Sequence, residues 1–425
     1  MRYASNLALA VSSALFAVAA LVACGRSDES DGAPAAAFAD PPATDAMRLG
    51  ALRKAALANG FVRAGELAVP VVPARHDVGR LIFASPIMSL NGQISCQDCH
   101  LDQFGSADGL PNAIGVGGEG AGAARLHSGG RILPRNVLPF WGRGSRGFDT
   151  FFWDGRVQKV NGRVVSQFGV QAPSKDPMIV AAHLPSVEVR EMVTDTPQIR
   201  DELMSENVGT AASIQSTLAR RFAADPAIGP KLAAVYGLPR DRLSFREVTD
   251  ALASFIRFNF RIKPTKFERF VHDNGPLSQR EMAGGVLFYG RGRCAACHGG
   301  PYFSDMKFHS VAFPQAGFGK NGFGVDEGRY NTTLDPKDRF LFRTPPLYNV
   351  AKTAPYSHSG SVVRLEDAIV AHFDPLRLVD TREMTVRERS DLYARLGTAS
   401  RETLPSALTD DEIRQLTAFL RTLSF

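Results

Sequence analysis

Cysteine is scarce in this chain. There are five in 425 residues, and four of them fall in two Cys-x-x-Cys pairs. That leaves only Cys24 unpaired by spacing and excludes a disulfide framework. No basic run occurs, and the formal charge of +6 is spread along the sequence. This is the pattern of a solvated surface, suited at most to an acidic partner, and it argues against nucleic-acid binding. After the first 23 residues no stretch is apolar enough to span a bilayer. Strand-like alternation is also rare, so the fold is expected to be mainly α. With 44% apolar and 22% charged residues, the composition is that of an ordinary globular protein.

What is present begins with an export signal. Arg2 is followed by an apolar run from about Leu7 to Ala23, ending Leu21-Val22-Ala23-Cys24-Gly25. Leu-Val-Ala-Cys resembles the bacterial lipobox, which predicts a signal over 1–23 and acylation of Cys24. A plain cleaved signal or an uncleaved anchor are the alternatives. Gly25 to about Pro42 is mostly Ala, Asp, Ser and Pro and reads as a flexible tether. The body is thus expected in the periplasm of a Gram-negative bacterium, held to a membrane (the outer one) by the lipid alone.

A helical pattern runs over Asp45–Asn59 and stops at Gly60. Residues 80–150 are rich in Gly and Pro and read as loops wrapped around a cofactor, with Gly115–Gly122 the most flexible piece. Three later helices announce themselves by Ser/Thr-x-x-Glu: Ser244 with Glu247, Ser278 with Glu281, and Thr409 with Glu412. A boundary near Asn274-Gly275-Pro276 divides the sequence into 76–275 and 276–425, preceded by a tether and helix over 24–75.

Each half carries one Cys-x-x-Cys-His: Cys96, Cys99 and His100, then Cys294, Cys297 and His298. Two thiols three positions apart can add to the two vinyl groups of a haem, and the adjacent histidine then reaches the iron. Zinc usually wants a second ligand pair nearby, and each motif stands alone. Two covalent haems c are the expectation.

At this point the chain resembles the bacterial di-haem cytochrome c peroxidases and their relative MauG, the methylamine dehydrogenase maturase. The resemblance covers about residues 80–425. Its ordered motifs are Ser95–His100, Pro134-Arg135-Asn136, Phe152-Trp153-Asp154-Gly155-Arg156, Arg190-Glu191-Met192 and Cys294–His298, then Phe342-Arg343-Thr344-Pro345-Pro346-Leu347 and Thr353–Gly360. It implies two cytochrome c-like domains with long irregular loops, the N-terminal haem meeting peroxide and the C-terminal haem taking electrons from a donor. It implies Glu191 as the catalytic acid/base and Trp153 as the tryptophan between the haems. It also implies a calcium ion held by Asn136, Thr353 and Pro355, whose hard oxygens suit that cation.

Three departures from the pattern matter. The family's distal histidine, sixteen residues after the proximal one, is Val116 here, so the N-terminal iron is expected to be open, with His127 as a substitute ligand in reserve. The family's second distal ligand, Met in peroxidases and Tyr in MauG, falls on His372. That predicts ligation by His298 and His372 together, with Met306, His309 or Met384 as alternatives, and imidazole in place of a thioether lowers the potential. The family's glutamine ten residues before the catalytic glutamate is Ala181, while Pro185 keeps its place and His183 lies two residues on. The stretch Gln158–Lys175 is longer than in short peroxidases.

The leading expectation is therefore an oxidoreductase of the cytochrome c peroxidase type, reducing hydrogen peroxide with electrons from a small cytochrome c or cupredoxin. The alternatives are a MauG-like maturase that oxidises Trp or Tyr side chains of a partner protein, and a non-catalytic electron carrier. A homodimer is compatible with each.

Overall fold

The computed structural model describes residues 45–194, 196–320, 322, 324–399 and 407–425. The export signal, Cys24 and the tether lie outside the described residues.

Helix α1 (Asp45–Ala58) ends where Gly60 turns left-handed at φ 79°, as its sequence predicts. It is followed by α2 (Pro73–Phe83), the strands β1 (Thr150–Phe151), β2 (Val157–Val160) and β3 (Arg163–Ser166), then α3 (Pro177–His183) and α4 (Val208–Ala224). Next come α5 (Phe245–Asn259), α6 (Lys266–Asp273), α7 (Gln279–Tyr289), and the two-residue strands β4 (Phe308–His309) and β5 (Phe342–Arg343). The chain closes with α8 (Leu365–Val370), α9 (Val386–Ala399) and α10 (Asp410–Arg421). Between α2 and β1 there are only short 3-10 turns, so the expected loop region is a loop region. The fold is mainly helical and cytochrome c-like.

The three predicted capping boxes all form. Ser244, Ser278 and Thr409 each donate a backbone N–H to the glutamate three residues on, at 2.9, 2.7 and 2.9 Å. Each satisfies a donor that the first turn leaves orphaned, typically worth about 1 kcal/mol.

Two helix pairs make the packing centres. In the first, α2 lies against α5 so closely that a Cβ on Gly79 would sit 2.0 Å from the Ala251 carbonyl. In the second, α7 lies against α10, and a Cβ on Gly284 would sit 1.9 Å from the Gln415 carbonyl. Phenylalanine fills both centres. Phe83 meets Phe255 at 4.9 Å, and Phe419 meets Phe267 and Phe288 at 4.9 and 5.0 Å. Burying each such ring contributes roughly 1.5–3 kcal/mol.

Helix α1 packs against α6 and α7 rather than with the segment that follows it. Leu52 fills the space above Gly285 of α7, Arg53 donates to the Phe270 carbonyl at 3.0 Å, and Phe61 packs on Phe267 and Phe303. The long stretch after Trp153 folds into an antiparallel meander β1-β2-β3, with Asn161 and Gly162, both at positive φ, turning β2 into β3. Among the described residues no helix is long and apolar enough to cross a membrane.

Candidate haem sites and peroxide pocket

The two Cys-x-x-Cys-His segments repeat one local design. Cys96–Asp98 forms a 3-10 turn, closed by Ser95, whose backbone N–H and hydroxyl both donate to Asp98 Oδ2 at 2.8 Å. His100 Nδ1 then donates to the Ser106 carbonyl at 2.8 Å, and its ring stacks on Phe140 at 3.7 Å. In the second copy Cys294–Ala296 forms the turn, and His298 Nδ1 donates to the Phe303 carbonyl at 2.9 Å. Fixing the proton on Nδ1 leaves Nε2 as a free lone pair aimed away from the backbone, the tautomer that a metal requires. Burial pulls His100 down to about 3 and His298 to about 4, so both rings are neutral. Burial likewise pushes the Cys96 thiol up to about 12 and keeps it protonated, as addition to a vinyl group starts from. Cys96, Cys99 and His100 line a cavity of about 370 Å³ whose other walls include Met88, Phe140, Trp153 and Ile256. Two thiols, a free imidazole nitrogen and an apolar slot are what a covalent haem needs; the residues fit the group.

The second histidine acquires a partner. His372 follows α8, donates from Nδ1 to the Ala368 carbonyl at 2.7 Å, and faces His298 with ring centroids 6.3 Å apart and planes at 62°. A separation of this size would let one metal ion be held by both imidazoles, whose metal–nitrogen bonds are about 2 Å. The other candidates are engaged elsewhere. Met306 Sδ accepts from Arg343 at 3.5 Å, and His309 Nε2 pairs with Asp305 at 2.8 Å. Met384 is half-buried in a turn.

Glu191 lines the same cavity as His100. Its loop is held from behind: the Val116 N–H donates to the Arg190 carbonyl at 2.8 Å, while Gly115 N–H and Val116 C=O bond to Arg131 at 2.8 and 2.9 Å. A Cβ on Gly115 would lie 1.9 Å from the Arg190 oxygen, so the contact needs glycine. The piece expected to be most flexible is thus pinned at its start, because its backbone groups find partners in two neighbouring loops. Val116 itself is buried.

Burial first, and then the charge of Glu188, push the Glu191 carboxyl up to about 8. Glu188 behaves oppositely. Burial opposes its ionisation, but Arg156, hydrogen-bonded to it, and Lys320 outweigh that and hold it below the usual range.

His127 ends an exposed turn, and His183 is buried with Nδ1 on the Ile179 carbonyl and its ring edge-on to Phe245. Neither lines the cavity, whereas Ala181 and Pro185 do.

Trp153 is tied to both halves of the chain. Its Nε1 donates to the Asn136 carbonyl at 3.0 Å, and its carbonyl accepts the Arg343 N–H at 2.8 Å. Asn136 in turn donates from Nδ2 to the Pro355 carbonyl at 2.7 Å, while its Oδ1 is buried without a partner. A buried orphan oxygen beside a second carbonyl is a starting set for a hard cation, and Thr353 lies two residues before Pro355.

One constellation has a role that the motifs did not disclose. Fully buried Asp154 accepts from Arg135 at 2.6 Å and Arg156 at 3.1 Å, with Lys320 at 3.9 Å. Arg135 also holds Asp326 bidentately at 2.6 and 2.9 Å. Arg135, Asp154 and Arg156 belong to the sequence motifs, but their partners Lys320, Asp326 and Glu188 are remote in sequence.

Residues 73–275 match the family model described as di-haem cytochrome c peroxidase. The chain is 27% identical over 353 residues to the methylamine utilization protein MauG of Methylorubrum extorquens, covering 80% of this chain and 81% of that one. It is 26% identical over 368 residues to the cytochrome c551 peroxidase of Pseudomonas aeruginosa, covering 84% and 80%. Among solved structures, the diheme peroxidase BthA from Burkholderia thailandensis superposes with a TM-score of 0.62 at 20% identity, covering 86% of this chain and 89% of that one. A MauG-like protein associated with microbial copper homeostasis superposes with a TM-score of 0.59 at 23% identity, covering 86% and 92%.

Proposed function

The chain belongs to the di-haem cytochrome c peroxidase and MauG family and is an oxidoreductase, and within that family we propose that it reduces hydrogen peroxide with electrons from a small cytochrome c or cupredoxin. The observation that carries this reading is Glu191, half-buried on the wall of the His100 cavity with its carboxyl pushed up to about 8. The balance is one peroxide, two electrons and two protons giving two waters.

When bound, the porphyrins supply the redox chemistry. The chain supplies position and protons. Glu191, ionised in part at neutral pH, takes the proton of the near peroxide oxygen and returns it to the far one, whose bond is breaking. A carboxyl with this proton affinity is matched to both transfers. Glu188, kept ionised by Arg156, holds that affinity high. His100 Nε2 is presented by the Ser106 carbonyl, and His372 Nε2 is presented opposite His298 by the Ala368 carbonyl. In this reading residues 76–275 form the peroxidatic domain, 276–425 the electron-transfer domain, and Trp153 bridges them. Calcium at Asn136, Thr353 and Pro355 gives the orphaned Asn136 Oδ1 its partner. Export to the periplasm with a lipid on Cys24 belongs to the same proposal.

The second reading, a maturase that uses peroxide to oxidise Trp or Tyr of a partner protein, is favoured by Val116 and by His372 in place of methionine. A mere electron carrier has no use for Glu191 in the cavity. Steady-state peroxide reduction with a reduced small cytochrome c or cupredoxin separates them. Sustained turnover supports the peroxidase. Negligible turnover, with peroxide leaving a long-lived change in the absorption spectrum, supports the maturase.

A further inference from the structure

The charges around the first cavity divide into a balanced set and an unbalanced one. Arg135, Arg156 and Lys320 meet Asp154, Asp326 and Glu188, three cations against three carboxylates. Arg143 and Arg343 have no such partners. Arg143 is 7% exposed and lines the cavity near Glu191, with Nε and Nη2 donating to the Pro139 and Leu138 carbonyls at 3.0 and 3.2 Å. Arg343 is 1% exposed. Its Nε donates to the Phe152 carbonyl at 2.9 Å and its Nη1 to its neighbour Thr344, while its backbone N–H holds Trp153. Phe152 and Trp153 both line the cavity. Neither arginine makes an ion pair among the described residues.

Carbonyl dipoles orient a guanidinium but do not cancel its charge, and a buried cation left unmatched is strongly unfavourable. Burial pulls Arg143 down to about 9, with the charge of Arg343 adding to the fall and Glu191 only partly opposing it. Burial alone pulls Arg343 to about 10. Glu191, mostly protonated at neutral pH, is a poor counter-ion. Elsewhere in this half, buried Arg125 also lacks an ion pair, but the fully buried Asp108 is near enough to act as its counter-charge.

Arg143 lines the cavity and Arg343 stands directly behind its Phe152–Trp153 wall, and among the described residues no carboxylate forms an ion pair with either. A porphyrin carries two propionates, and the thiols and imidazole that would hold it line the same cavity. We propose that Arg143 and Arg343 are the counter-ions of the two carboxylates of the haem attached at Cys96 and Cys99. This rests on haem attachment and not on the peroxidase reading, so it stands or falls apart from turnover.

Redox titration of the fully haem-loaded protein tests it, with R143Q, R343Q, R143K and R343K beside the parent. Losing the cation leaves a buried carboxylate uncompensated and favours the ferric state. Each glutamine variant is expected to shift the oxidation balance of the His100 haem at least tenfold toward ferric, ~59 mV for one electron. Its midpoint should also become pH-dependent as the carboxylate takes up a proton. The lysine variants keep the charge and hold the midpoint within a few-fold of the parent. Unchanged midpoints in both glutamine variants, with stability lowered alike by glutamine and lysine, overturn the proposal and make the arginines structural. A change confined to the pH profile of peroxide turnover also overturns it, making Arg143 the counter-ion of Glu191. Where a glutamine variant fails to mature, its lysine counterpart decides: no haem, or a displaced midpoint, contradicts the assignment.

Discussion

His298 and His372 face each other across 6.3 Å, ring centroid to ring centroid, each with its Nδ1 proton committed to a backbone carbonyl. Nothing comparable stands opposite His100, the one histidine among the described residues that lines the first cavity. The two Cys-x-x-Cys-His motifs are alike locally and unlike in what their loops bring to the far side.

That asymmetry makes His372 the first target. His372→Ala removes the opposing nitrogen and should abolish the low-spin signal of the C-terminal haem while leaving the other spectrum intact. His372→Met should instead raise that haem's midpoint, since a thioether favours ferrous iron. A low-spin signal surviving in the alanine variant would refute the pairing.

Glu191→Gln keeps shape and removes the proton acceptor. Peroxide turnover should fall by about 10²–10⁴-fold with haem content unchanged. With the carboxyl at about 8, turnover should rise with pH through that region. Glu188→Gln removes the neighbouring charge, lowers the Glu191 pKa and moves the rising limb to lower pH. A pH profile indifferent to both changes would leave Glu191 without the assigned role.

The same raised pKa has a consequence for folding. Unfolded, the carboxyl ionises near its ordinary value of 4.5; folded, it stays protonated up to about 8. Between those values the folded state binds more protons, so this group's contribution to stability falls as pH rises and levels off above about 8. Denaturant titrations of the parent and the Glu191→Gln variant at pH 5, 7 and 9 should diverge in that order. Parallel curves would contradict the burial argument.

Gly115→Ala places a Cβ against the Arg190 carbonyl, which sits 1.9 Å from that position. The Glu191 loop must shift, at a cost of about 1–3 kcal/mol. Turnover should drop although no reacting group has changed. Wild-type stability and turnover would show that the loop gives way freely.

Asp154→Asn strips the shared partner from Arg135 and Arg156. A broken buried network of this kind costs about 3–5 kcal/mol, readable as a lowered denaturation midpoint. A loss below 1 kcal/mol would mean that Asp326 and Glu188 suffice to neutralise the arginines.

Much of this was legible in the sequence where the signal is local. The capping boxes at Ser244, Ser278 and Thr409 and the paired cysteines each sit within a few residues. The β2–β3 hairpin was not read from the sequence, although Asn161-Gly162 between Val157–Val160 and Arg163–Ser166 is a turn signal, because strands this short carry little alternation. Helix α1 on α7 and the Arg135–Asp326 pair were not legible, because both join residues some two hundred positions apart. Arg143 and Arg343 show the same limit: only burial reveals that a charge lacks a partner.

The central claim is that one iron is open and the other closed. Electron paramagnetic resonance of the fully oxidised, haem-loaded protein tests it most directly. A high-spin ferric signal is expected from the haem at His100 and a low-spin signal of bis-histidine type from the haem at His298. Two low-spin signals, with no high-spin component, would contradict it.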